Sequence, residues 1–284
     1  MLNKMSEQEI KNIIIKLAEE YNKAEYFSTD PIIFPKHFYK LLDNQDSMQG
    51  DPRFPVPENY SVCLQDVEIA AVIAAHLAWG RRDMIVRDIT RAMEEMKWKP
   101  YEYVRGGRYK SCNESLHRTI KWCEFATICS NLKKYYTDNN TLEPLLPDEF
   151  RTRIFGQKSD KNAANKKIQM LRRWMVRDDG IVDMGIWKSI SPSDLIIPLD
   201  VHVHRTAMEL GITKRKSADI TTAREITEYL KKIFPKDPVI GDFALFAYAA
   251  TAKAEAEKRG SKRRGGKEKK DCQYKTDKKD VQHI

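Results

Sequence analysis

Two adjacent lysines, Lys166 and Lys167, and a carboxylate further along the chain, Asp200, are the residues whose types and setting could do chemistry. Asp200 follows Ile196-Ile197-Pro198-Leu199 and precedes Val201-His202-Val203-His204-Arg205, a run that stops at Gly211. Asp is a preferred N-cap, and Gly just past a helix supplies a left-handed stop, so these residues predict a short helix that starts at Asp200. A carboxylate in that position lies at the positive end of the helix. An anion fixed there suits the stabilisation of a developing cation. A lysine whose amine is held neutral by burial supplies a nucleophile that forms a Schiff base. The plainer reading of the same residues is an N-cap with two solvated lysines.

The elements that must bring them together read as helices. Lys166 and Lys167 open the helical run Ile168–Arg177, and neighbours on a helix point about 100° apart, so at most one of them faces Asp200. Asp66–Trp79 is apolar nearly all round and predicts a central buried helix. Ser6-Glu-Gln-Glu9 is a capping box before an apolar face of Ile10, Ile13, Ile14, Leu17, Ala18 and Tyr21. Further helices are expected at Phe38–Leu42, Asp83–Met96 and Ser115–Tyr136, with a short one, broken by prolines, within Leu142–Phe155. Thr222-Ala-Arg-Glu225 reads as a second capping box. Asp237-Pro238 then starts a last helix with Phe243, Phe246, Ala247 and Ala250 as its buried stripe. No pair of β-strands is evident, and the expected class is all-α.

Pro198-Leu199-Asp200-Val201-His202-Val203 resembles the Pro-Val-Asp-Val-His segment of the helix-hairpin-helix GPD (HhH-GPD) superfamily of DNA base-excision glycosylases, including those acting on 8-oxoguanine. More closely, the chain resembles a family of uncharacterised bacterial proteins placed beside that superfamily. That likeness rests on Lys166, Met170, Arg173-Trp174-Met175-Val176-Arg177, Gly185-Ile186-Trp187 and Pro198 to His202, and extends roughly over residues 30 to 250.

The resemblance implies two helical subdomains flanking a cleft and a DNA glycosylase, with strand-cleaving (AP lyase) activity where a lysine is the nucleophile. The damaged nucleotide of double-stranded DNA is flipped into a pocket. The lysine attacks the sugar C1′ and the base leaves, with Asp200 stabilising the cationic sugar. The close family pattern favours Lys166 as nucleophile; register with the glycosylases favours Lys167. The Leu-Pro-Gly-x-Gly hairpin that grips phosphate in that superfamily is absent, and Gly156-Gln-Lys158-Ser-Asp-Lys161-Asn-Ala-Ala stands there. The expected DNA contacts are His202, Arg173, Arg177, Arg205, Lys158 and Lys161, and the expected base pocket uses Trp174 and Trp187. The alternative is a nucleic-acid-binding module of the same fold without catalysis. A remote one, a metal-dependent phosphoesterase, takes Asp200-x-His202-x-His204 as ligands, but residues two apart share a face on a strand and not on a helix.

Composition narrows the remaining classes. The net charge is +9 over 284 residues, but residues 252–284 alone hold twelve Lys/Arg and six Asp/Glu. A basic tail of that kind is expected to be disordered and can hold nucleic acid without sequence preference. Cys63, Cys112, Cys123, Cys129 and Cys272 form neither close metal-ligand pairs nor a disulfide framework. No metal and no cofactor is expected, nor the four-cysteine iron–sulfur cluster of some relatives in the superfamily. With no leader and no apolar run long enough to span a bilayer, the expectation is a cytoplasmic or nucleoid-associated monomer with no membrane partner.

Overall fold

A computed structural model of the chain describes residues 5–42 and 50–249. Its centre is helix α3 (Leu64–Leu77), where every residue from Asp66 to Leu77 is buried. Short alanines at 70, 71, 74 and 75 let neighbours approach closely, and α3 packs against α2 (Ile33–Leu42), α4 (Arg82–Glu95), α5 (Pro100–Gly106) and α8 (Lys166–Val176). Two acids inside α3 are retained because each is fully engaged. Asp66 accepts from Tyr60 Oη at 2.7 Å, Cys63 N at 2.9 Å and Tyr101 N at 2.8 Å. Glu68 accepts from Tyr136 Oη at 2.8 Å, Thr141 Oγ1 at 2.5 Å, Leu142 N at 3.0 Å and Trp187 Nε1 at 2.8 Å. A buried carboxylate is tolerated only on such terms.

A second, smaller core is built from α1 (Glu7–Tyr21), α9 (Val201–Glu209), α10 (Ile220–Lys231) and the helical residues 241–249. Ile14, Ala18, Leu199, Val203, Ala207, Ile226, Leu230 and Leu245 meet in it, and the Ser6/Glu9 capping box opens α1 as expected. The protein is thus all-α with two apolar cores.

Several boundaries differ from the sequence reading. Residues 115–121 are not helical: Ser115–His117 (β1) and Ile120–Lys121 (β2) form a short antiparallel hairpin, and α6 begins only at Trp122, ending at Tyr136. The hairpin is pinned by buried His117, whose ring bridges Asp88 Oδ2 at 2.8 Å and the Trp79 carbonyl at 2.9 Å, contacts invisible in local spacing. Leu142–Phe155 yields only one turn, α7 (Pro147–Glu149), and a π-helical turn at Phe150–Ile154. The α10 N-cap is Asp219, which accepts from Thr222 N at 2.9 Å, three residues before the expected box. Thr222 instead donates to the Ser217 carbonyl at 2.6 Å. In the last helix Phe243 and Ala247 are buried but Phe246 is 45% exposed. Ala250 and the basic tail lie outside the described residues. Among the described residues no helix is long and apolar enough to cross a membrane.

Candidate functional site

Between the two cores lies a cavity of about 310 Å3, at the lower end of the range for small-molecule sites. Lys166 and Asp200 both line it. Lys166 is the first residue of α8, after Asn165 in the left-handed conformation (φ 50°), and its Nζ lies 3.4 Å from the Ala78 carbonyl. Asp200 caps α9, with Oδ1 accepting from His202 N at 2.8 Å and Val203 N at 2.9 Å. Gly211 stops the helix at φ 71°, as the sequence reading requires.

Lys167 does not enter the cavity. One residue further round the helix, it donates to the His76 carbonyl and lies 6.0 Å from the Trp79 ring centroid. Burial, and then the neighbouring Lys166 charge, lower its pKa to about 8. Of the two lysines, Lys166 and not Lys167 has access to Asp200's cavity.

The expected base-pocket tryptophans are corrected. Trp174 and Trp187 are fully buried core residues, Trp187 bonded to Glu68, and neither lines the cavity. Its aromatic walls come instead from Tyr21, Tyr26, Phe27, Phe243 and Phe246. Tyr21 and Tyr26 stack at 4.8 Å and 25°, and Phe27 meets Phe243 edge-on at 5.1 Å. Only the end of the α1 face and the final apolar stripe hinted at these residues.

Arg173 and Arg177, expected as DNA contacts, are both buried in ion pairs, and Arg173 also lines the cavity. Arg177 reaches Asp179 at 2.6 Å, Asp183 at 3.0 Å and Asp237 at 2.7 Å. Arg173, 5% exposed, pairs with Asp242 at 2.6 Å and Asp183 at 3.4 Å and lies 4.7 Å from the Phe243 ring centroid. Asp183 reaches them because the loop after α8 turns back. Asp179 Oδ1 accepts the N–H groups of Ile181, Val182 and Asp183, and Gly185 sits at φ 59°, where an added Cβ would meet Asp178.

The remaining expected contacts are at the surface. His202, Lys158 and Lys161 are exposed, and exposed Arg205 lies 3.7 Å from Glu209. His204 bonds the Arg215 carbonyl at 2.8 Å, and both histidines stand on helix α9 rather than a strand end. In the segment before α8, Asp148 accepts from Ser159 Oγ at 2.7 Å and Asp160 N at 3.2 Å.

Sequence reasoning missed Asp242, in the first turn of the last helix, where an acid is ordinarily read as a dipole partner. It lines the cavity, is 13% exposed and holds Arg173. Burial is the strongest influence on it and raises its pKa; Arg173 opposes this, Asp200 adds to it and Lys166 opposes it, leaving it at about 6.

The cavity thus carries three cations, Arg82, Lys166 and Arg173, against three anions, Asp30, Asp200 and Asp242. Such a balance, with five aromatic walls, suits a neutral planar group better than a phosphate. Fold and site define an all-α protein with a charge-balanced, aromatic cavity between two cores. By its sequence it belongs to the family described as protein of unknown function (DUF2400), whose model matches residues 51–251. That stretch holds Lys166, Asp200 and Asp242, while Tyr21, Tyr26, Phe27 and Asp30 precede it. Comparison with curated proteins and with solved structures gives no match.

Proposed function

We propose that the protein binds double-stranded DNA and excises a damaged base, with Lys166 as nucleophile, strand cleavage following through its Schiff base, and Asp200 as the fixed anion beside the sugar. This adopts the helix-hairpin-helix glycosylase resemblance as the working fold. The observation that carries it is that Lys166 and Asp200, from two separate helices, line one cavity whose aromatic walls suit a flipped base. Lys166, once deprotonated, attacks C1′, the base departs with the electron pair of the glycosidic bond, and the iminium that follows permits β-elimination. His202, Lys158, Lys161 and Arg205 are the accessible groups for the backbone.

The test is borohydride trapping on duplexes that each carry one lesion, with Lys166→Gln and Lys167→Gln compared. An adduct lost in the first variant and kept in the second is the expected result. DNA binding without adduct or base release on any lesion would overturn it in favour of a binding module. Asp200→Asn separates the two, since an enzyme loses turnover while retaining binding.

A further inference from the structure

The cavity holds two carboxylates in different surroundings. Asp200 spends Oδ1 on two backbone N–H groups of its own helix. Asp242 Oδ2 accepts from Arg173 Nη1 at 2.6 Å, and its Oδ1 accepts no hydrogen bond among the described residues. Facing the same space are Lys166 and Arg173 from α8, Asp200 from α9, Arg82 from α4, Asp30 before α2, and the phenols of Tyr21 and Tyr26. One acid is therefore held in place by its own helix, and the other keeps an oxygen without a partner among the described residues in the cavity that Lys166 also lines.

We propose that Asp242 is the proton-transfer residue of this cavity, taking a proton from the Lys166 ammonium and giving it to the departing base, while Asp200 remains a fixed charge. The assignment rests on the glycosylase reading above. The steps balance: Lys166 loses H+ to the Asp242 carboxylate, and its lone pair forms the bond to C1′. The C1′–N bond breaks with its electron pair going to the base, and the Asp242 carboxyl returns the proton to that nitrogen. The base leaves neutral, Asp242 is again a carboxylate, and the positive charge rests on the lysine–sugar nitrogen beside Asp200. A carboxyl raised to about 6 by its burial is matched to such a shuttle near neutral pH. Two acids given different roles by their environments is a recurrent arrangement in acid–base catalysis.

The test measures single-turnover base release from a lesion duplex between about pH 5 and about pH 8.5, for wild type, Asp242→Asn and Asp200→Asn. Borohydride trapping at a preformed abasic site, with no base to expel, is measured beside it at the alkaline end. Asp242→Asn is expected to lose roughly 100-fold or more in base release and to lose the bend near pH 6. Its trapping at the abasic site should fall less than about ten-fold, because hydroxide can take the lysine's proton there. Asp242→Ser replaces it if the amide variant does not fold. A variant that keeps the wild-type bend, or loses release and trapping equally, overturns the assignment and leaves the glycosylase reading standing. A wild type that releases no base from any duplex overturns both.

Discussion

Replacing Asp242 by Asn should change how stability depends on pH, whatever the protein's activity. In the folded chain the Asp242 carboxyl sits at about 6, against 3.8 for the free group, chiefly because burial disfavours its charge. The folded state therefore holds this proton more tightly than the unfolded chain. Its stabilising contribution is complete below about pH 4 and is lost as pH rises to about 6. About two pH units at ~1.4 kcal/mol each make the loss ~3 kcal/mol, a large part of the roughly 5–15 kcal/mol typical of a domain. Asp242→Asn removes that titration and also deprives Arg173 of one partner. That pairing holds only while Asp242 is ionised and is already contained in its folded pKa, so beyond the titration only a constant offset between Asn and the protonated acid remains. The buried His37 and His76, lowered to about 4 and about 3, titrate alike in both proteins and cancel in the difference. Urea unfolding at about pH 4, 5, 6 and 7, with equal m values, gives that difference directly. It should move in the variant's favour by ~2.5 kcal/mol from the lowest pH to the highest, with most of the change complete by about pH 6. Parallel curves would refute the assignment of a raised pKa, and with it the electrostatic argument for Asp242 as a shuttle.

Two further outcomes concern the core and the cavity wall. Glu68→Ala should cost ~3–5 kcal/mol by urea unfolding, because it strands the Tyr136, Thr141 and Trp187 donors and the Leu142 amide in a dry interior; a loss under ~1 kcal/mol would mean those groups find other partners. Phe246→Ala should change stability by less than ~1 kcal/mol, since the residue is 45% exposed; under the proposed function it should also weaken lesion-duplex binding by the ~1–3 kcal/mol of one base–aromatic stack. Fluorescence anisotropy with lesion and undamaged duplexes checks it, and equal weakening on both would remove Phe246 from the base site.

The parts legible in the sequence were those encoded locally. The apolar run at Asp66–Trp79 gave the central helix, and Asp200 with Gly211 gave both ends of α9, because caps and stops act over a few residues. The hairpin at 115–121 was missed because its anchor, His117 on Asp88 and the Trp79 carbonyl, spans distant parts of the chain. Asp242 was missed for a related reason. Nothing near it in sequence distinguishes an acid that faces a cavity from one that favours a helix start. The same limit explains Trp174 and Trp187, since nothing in the adjacent sequence separates an indole that fills a core from one that faces a base.

Arg173 and Arg177 are engaged inside the protein rather than at its surface. A guanidinium in that motif suggests phosphate, yet each finds carboxylates inside the protein, and a buried arginine is stable only when so paired. Arg173 joins Asp183, on the loop after α8, to Asp242, on the helix that supplies Leu245 to the smaller core, and lies against Phe243. Arg177 makes the parallel link from Asp179 and Asp183 to Asp237, just before that helix. These links cross from the core built on α3 to the core built on α1, α9 and α10, along the seam where the cavity lies. Their work is to fix the wall that carries Asp242 against the helix that carries Lys166. Loss of either arginine should therefore disturb the site by letting that wall move, and the damage should appear as lost cooperativity of unfolding in urea.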